Sequence, residues 1–200
     1  MNESLLFIGD SITDAGRRDD PEGLGQGWVR IVADTLRADG DDRPIVNTGI
    51  GGDRAIDLRR RWQADALAHS PAVLTIYVGI NDTWRRYDAG DHTTDAAFEA
   101  DYRELLDRAA AALPSARVIL VEPFLTPVTE AQRTWHADLD GKRRVVRALA
   151  AETGATLVPL HDILTAAAAR YGDEAIAADG VHPSPLGARL IAEAWLAATR

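Results

Sequence analysis

Cysteine is absent from all 200 residues, which excludes disulfide staples, thiolate zinc sites and cysteine nucleophiles in one step. Serine and histidine are scarce, with five of each. No apolar run approaches the length that crosses a bilayer. The N-terminus, Met1-Asn2-Glu3-Ser4 before a short apolar run at 5–8, has no basic segment and too little apolar sequence for a signal peptide. A cytoplasmic protein with no membrane partner is therefore expected. Positive charge is in deficit: 22 Lys and Arg against 31 Asp and Glu leave a net −9 at pH 7. Such a chain does not supply the phosphate-neutralising surface of a nucleic-acid binder, and no nucleic acid is expected as a partner. Repeats, low-complexity tracts and linker-like stretches are also missing. With 46% hydrophobic residues, the chain reads as one domain over 1–200 around a sizeable core.

What is present is alternation. Short apolar runs bounded by polar or Gly/Pro residues predict buried strands at 5–8, 45–46, 73–78, 118–121 and 156–158. A helix is expected over 95–113, where Phe98, Tyr102, Leu105, Leu106, Ala109 and Leu113 share one face and Pro114 ends it. A second is expected over 136–153, with Gly154 placed just past its C-terminus. The last opens with Ser184 as N-cap and Pro185 at its first position, and turns Leu186, Leu190, Ile191 and Ala194 inward. A further helix starts near Gly27 and carries Trp28, Val32 and Leu36 to the core. Strands alternating with helices imply a parallel sheet covered on both faces, whose ligand sites lie beyond the carboxyl ends of the strands.

Five serines can be weighed singly as nucleophiles. Ser4 opens a strand, Ser70 and Ser115 precede strands, and Ser184 is a helix cap. Ser11 alone follows a strand directly, in Gly9-Asp10-Ser11, where a side chain reaches the carboxyl rim of the sheet. A hydroxyl needs a base to take its proton, and the base needs an acceptor on its other ring nitrogen. His182, three residues after Asp179 on the loop before the last helix, meets that need; alone, such a loop is more often a capped turn beside a solvated imidazole. The glycines of Asn47-Thr48-Gly49-Ile50-Gly51-Gly52 can aim backbone amides at a developing oxyanion, or simply form a left-handed turn. Asn81 offers a side-chain amide after the third strand, or serves as a turn former. Ser11, Gly52, Asn81, Asp179 and His182 nevertheless all fall just past strand ends or on that one loop.

In order, Gly9-Asp10-Ser11, the NxGxxG of Asn47 to Gly52, the GxND of Gly79 to Asp82 and the DxxH of Asp179 to His182 resemble the four sequence blocks of the SGNH (GDSL-type) hydrolases. The resemblance covers residues 9–182. It implies a three-layer α/β/α sandwich, a flavodoxin-like doubly wound parallel sheet. It also implies Ser11 as nucleophile, His182 as base and Asp179 as its partner, with Ser11, Gly52 and Asn81 as oxyanion hole and no metal or organic cofactor. Residues 5–14, 79–88 and 181–184 are similar to those of intracellular acetylxylan esterases, which implies an acetylated xylo-oligosaccharide substrate and a homo-oligomer. One departure is Gly51, where many members carry serine.

Trp84, Arg85 and Tyr87 follow the Asn81 block and are candidate sugar contacts, with packing as the rival reading. Trp62, Trp135 and Trp195 lie on helical patterns and read as core or interface anchors. Asp10, Asp14 and Asp82 do not read as a magnesium site: Asp10 is expected to hold the loop behind Ser11, Asp14 to cap the next turn and Asp82 to bond amides beside Asn81. Gly23-x-Gly25-x-Gly27 follows no strand, which argues against a dinucleotide site. His161-Asp162 could line the rim, while His69, His92 and His136 have no motif context. Two rival functions remain: a lysophospholipase or thioesterase acting on long acyl chains, and a catalytically silent binding module.

Overall fold

The stretch Leu-Leu-Phe-Ile-Gly forms strand β1 (Leu5–Gly9), buried at every position because a central strand of a parallel sheet is covered on both faces. The computed structural model describes residues 3–199. After β1 come α1 (Ser11–Asp14) and α2 (Trp28–Ala38), then β2 (Ile45–Asn47) and α3 (Ala55–Asp65). Strand β3 (Val73–Tyr77) is followed by α4 (Ile80–Asp88) and α5 (Asp95–Ala112), and β4 (Arg117–Val121) by α6 (Glu130–Arg133) and α7 (His136–Thr153). Strand β5 (Thr156–Val158) precedes α8 (Leu160–Tyr171), α9 (Asp173–Ile176) and α10 (Pro185–Thr199).

All five strands pair in parallel in the order β2-β1-β3-β4-β5, with Leu5 in register with Ile45 on one side and Val73 on the other. The chain therefore leaves β1 in one direction and returns to its other side. The resulting crevice opens directly past Gly9, where α/β sheets of this order hold ligands.

The period of two along β1 sorts its side chains between two cores. Leu5 and Phe7 pack with Trp28, Val32, Ile191 and Trp195 from α2 and α10. Leu6 and Ile8 pack with Leu58, Trp62, Phe98 and Tyr102 from α3 and α5. Each such buried side chain contributes about 1.5–3 kcal/mol relative to exposure. Trp195 and Trp62 are core residues, as expected, and the Trp195 indole donates to Thr75 Oγ1 at 3.0 Å.

The expected strands and the four expected helices are present within a residue or so at their ends. Beyond these and the four-residue turns α1, α6 and α9, three longer helices lack a legible pattern. Helix α3 has only Ala55, Leu58 and Trp62 buried among charged residues, and α8 is dominated by alanine. Helix α4 corrects the expectation of a loop after β3. Asn81 sits in a first helical turn, not at a strand end, and the stretch from Trp84 is helical as far as Asp88.

Candidate active site

Gly9 ends β1 without a side chain because none fits: a Cβ there would lie 2.2 Å from the Tyr77 carbonyl oxygen and 2.6 Å from Thr13 Oγ1. The chain then turns sharply into α1. Asp10 caps that helix, its Oδ1 accepting the Ile12 N–H at 3.0 Å, so Ser11 is presented at the first helical position. Here the expectation that Asp10 holds the loop behind Ser11 matches its geometry.

Ser11 Oγ lies 2.9 Å from His182 Nε2, and His182 Nδ1 lies 2.6 Å from Asp179 Oδ2. Asp179 Oδ1 accepts the backbone N–H groups of Val181 at 2.9 Å and His182 at 2.7 Å, which fixes the loop around the imidazole. Burial acts to raise the Asp179 carboxyl, but hydrogen bonds from the His182 ring and these amides outweigh it and hold the group below the ordinary carboxylate range. Ser184 closes the loop from the other side: its hydroxyl donates to the Ala175 carbonyl at 2.6 Å and accepts the Gly187 N–H at 3.1 Å as a helix cap.

The loop after β2 folds against Ser11. Asn47 is buried and donates to the carbonyls of Thr13 at 2.7 Å and Leu24 at 2.8 Å, while its Oδ1 accepts the Gly49 N–H. Gly51 N–H donates to Asp14 Oδ2 at 3.1 Å, and Asp14 Oδ1 accepts the Arg17 N–H at 3.2 Å, so Asp14 caps its turn and also ties down the glycine loop. The absence of a side chain at Gly51 thus leaves the loop anchored. Gly52 adopts a left-handed conformation, φ 87°, which only glycine takes without strain. Neither its N–H nor that of Ser11 donates a hydrogen bond within the described residues. Asn81 Nδ2 donates to the Asp53 carbonyl at 3.1 Å, bringing the α4 amide against this loop and leaving its second N–H available.

Two organising residues carry no motif signal. Arg61 of α3 donates to the Thr48 carbonyl at 2.6 Å, the Gly9 carbonyl at 3.1 Å and Asp53 Oδ2 at 2.7 Å, joining β1 to the loop after β2. Gln132 of α6 donates to the Asp179 carbonyl at 2.6 Å and accepts the Val128 N–H at 2.9 Å. Arg61 stands within a run of three arginines and Gln132 within a polar turn, and neither setting differs in sequence from a solvated surface.

Below the rim lie two wholly buried carboxyls. Burial pushes Asp10 up to about 7 and Asp82 up to about 8 against an ordinary 3.8, and one oxygen of each has no hydrogen-bond partner, as fits a protonated acid. Asp82 Oδ2 accepts the Ala55 N–H at 3.2 Å, so it bonds an amide of α3 instead of one beside Asn81. Asp10, Asp14 and Asp82 do not converge, and no metal-holding group of three His, Asp or Glu occurs among the described residues.

The aromatic candidates divide. The Trp84 ring is 6.0 Å from the His182 ring and 5.6 Å from Trp135. Tyr87 stacks on Trp135 at 5.2 Å and donates its hydroxyl to the Thr134 carbonyl at 3.1 Å, so Trp135 already covers one of its faces. Arg85 pairs with Asp88 at 2.7 Å and lies over the Trp84 ring, turned to its own helix. Beside Ser11 and His182 a pocket of about 160 Å³ is walled by Ile12, Ala15, Gly27, Trp28, Pro183 and Ala188.

Residues 7–190 match the model of the GDSL-like Lipase/Acylhydrolase family. An acetylxylan esterase from Geobacillus stearothermophilus is 37% identical over 205 residues, covering 97% of this chain and 92% of its own length. A crystal structure of an acetylxylan esterase from that organism superposes with a TM-score of 0.90 at 34% identity, over 98% of this chain and 93% of that one. It has also been solved as catalytic mutants at a serine, an aspartate and a histidine, the last two three positions apart. Esterase TesA from Pseudomonas aeruginosa is 28% identical over 194 residues, 96% of this chain and 86% of its own.

Proposed function

Because the chain belongs to the GDSL-like lipase/acylhydrolase family and is a carboxylic ester hydrolase, we propose that it removes O-acetyl groups from short acetylated xylo-oligosaccharides through an acetyl-serine intermediate. The observation that carries the proposal is the continuous line from Ser11 Oγ through the His182 ring to the Asp179 carboxylate, at 2.9 Å and 2.6 Å. In this reading Ser11 Oγ bonds to the acetyl carbon as its proton passes to His182 Nε2. The carbonyl oxygen, now an oxyanion, accepts from the N–H groups of Ser11 and Gly52 and from the Asn81 side chain. Collapse breaks the bond to the sugar oxygen, which leaves with the proton from His182. Water then gives a proton to His182 as its oxygen bonds to the acetyl carbon, and collapse breaks the bond to Ser11 Oγ, which takes the proton back from His182 as acetic acid leaves. The mutants of the Geobacillus esterase, with the same three-residue separation of aspartate and histidine, support these roles for Asp179 and His182.

The 160 Å³ pocket favours a short acyl group, since its volume is below the roughly 300 Å³ at which drug-sized ligand pockets begin. Trp84, beside His182, is the aromatic face best placed for a pyranose ring. The proposal takes residues 1–200 as one domain that acts in the cytoplasm as a homo-oligomer. Acetate release from acetylated xylobiose, compared with acetyl and long-chain p-nitrophenyl esters, tests the substrate. Preference for the long-chain ester would favour an acyl-chain hydrolase instead. Replacing Ser11 with Ala is expected to abolish turnover with the fold retained by circular dichroism, and wild-type activity in that variant would remove Ser11 from the mechanism.

A further inference from the structure

A cleft of about 520 Å³ lies away from Ser11, past the carboxyl ends of β4 and β5. Its volume is that of a small-ligand site. Leu125, Pro127 and Ala169 give it apolar surface, and His136, His161, Asp140 and Asp173 bring polar groups to it. The two imidazole rings are 5.8 Å apart. An Arg143 N–H points at His136 Nδ1 at 3.3 Å; a guanidinium only donates, so Nδ1 accepts and the ring carries its proton on Nε2. Burial, with the Arg143 charge second, holds both histidines below their ordinary range and keeps the rings neutral.

This chemistry narrows the occupant. Asp140 and Asp173 repel anions, and Arg143 is already bonded to Asp140 at 2.6 Å. A metal ion is poorly served, because no metal-holding group of three such side chains is formed among the described residues. Neutral imidazole donors set between carboxylate acceptors, over a small apolar floor, suit a neutral polyhydroxylated ligand. Its hydroxyls donate to the carboxylates and accept from the rings, and its C–H faces lie on Pro127 and Ala169. Arg143, nearly wholly buried behind this wall, keeps one Nη2 without a partner, as does the buried Thr126 hydroxyl that also lines the cleft.

The cleft is joined to the loop that carries Asp179. Thr126 N–H donates to the Gly180 carbonyl at 3.0 Å. His136 follows Trp135, whose ring meets Trp84, and Trp84 in turn meets His182. Both sites thus share one rim of the sheet with aromatic rings between them. Resting on the substrate reading above, we propose that this cleft is a subsite for the unacetylated sugar units of the oligosaccharide whose acetylated unit is held at Ser11. Binding energy from these remote units then favours longer substrates at the reacting centre.

Ala169 is exposed on α8, so Ala169→Phe obstructs the cleft without entering the core. In a Ser11→Ala background, titration calorimetry with unacetylated xylotetraose should show saturable binding that Ala169→Phe and His161→Ala each weaken about tenfold, or 1.4 kcal/mol. With Ser11 intact, kcat/KM for acetylated xylotetraose should fall by a similar factor and that for p-nitrophenyl acetate should stay within about twofold. Equal binding by all three proteins, or none by any, would overturn the subsite. Acetate release by the wild-type protein reads the substrate assignment separately. Cleft-dependent binding without that release would defeat the assignment and leave the subsite standing as a neutral oligosaccharide site.

Discussion

Asn81 donates one of its two side-chain N–H groups to the Asp53 carbonyl, and that bond aims the other. The proposed oxyanion hole uses this second group, so its removal should be felt in turnover more than in binding. Asn81→Ala is expected to lower kcat by roughly 10²–10³ with little change in KM, the loss seen for a single such donor. Steady-state kinetics on p-nitrophenyl acetate checks it, and a loss of less than a few-fold would take Asn81 out of the role. Asp179 behaves differently because its hydrogen bonds keep it ionised well into acid. The proposed base must be an unprotonated imidazole to take the Ser11 proton, so activity should fall on acidification while Asp179 is still ionised. A profile that stays flat to pH 4 would argue against a histidine base.

At the scale of elements, α4 is tied to α7 by charge, beside the apolar packing of Ile80 and Trp84. Asp138 of α7, 3% exposed, accepts from Thr83 at 2.8 Å and Arg86 at 2.9 Å on α4, lies 3.0 Å from His92, and pairs with the wholly buried Lys142 at 3.0 Å. Lys142 also reaches Asp95 at 3.2 Å, so one ammonium joins α7 to the start of α5. Removing one partner of a buried pair leaves an uncompensated charge. Lys142→Met should therefore cost about 3 kcal/mol in urea unfolding, whereas Arg86→Met, at a side chain 45% exposed, should cost less than about 1 kcal/mol. Equal losses would show that burial of the lysine does not govern the network.

For the molecule as a whole, Asp10 and Asp82 set a pH dependence of stability opposite to that of a salt-bridged acid. Their folded pKa values are raised, to about 7 and about 8, above an ordinary 3.8. Below about 4 both states are protonated. Between there and about 7 for Asp10, or about 8 for Asp82, the unfolded group is ionised while the folded one keeps its proton, so unfolding releases protons and stability falls as pH rises. Each group contributes a slope on the order of 1 kcal/mol per pH unit within its window. Asp10→Asn and Asp82→Asn keep an oxygen for Ile12 N–H and Ala55 N–H, and each should flatten urea midpoints measured from pH 5 to pH 8. An unchanged slope in both would show that these carboxyls are ionised when buried. The same folding places the crevice beside β1, because a strand with neighbours added in both directions is where the order reverses.

Local pattern was enough to reveal the strands, the alternation that makes the sheet parallel, and the blocks around Ser11, Gly52, Asn81 and Asp179–His182. Burial on both faces forces continuous apolar runs, and a tight turn at a strand end needs glycine and capping residues close by in sequence. Tertiary structure alone decided that Arg61 and Gln132 brace the site, that the stretch after Asn81 is a helix, and that Trp135 stacks on Tyr87 beneath Trp84. Each depends on partners tens of residues away: Arg61 on Gly9, Gln132 on Asp179, Thr83 on Asp138. A polar side chain bonded across such a distance has the same local surroundings in sequence as one facing water. Only the assembled sheet, which brings loops from β1, β2, β3 and β4 to one rim, tells the two apart.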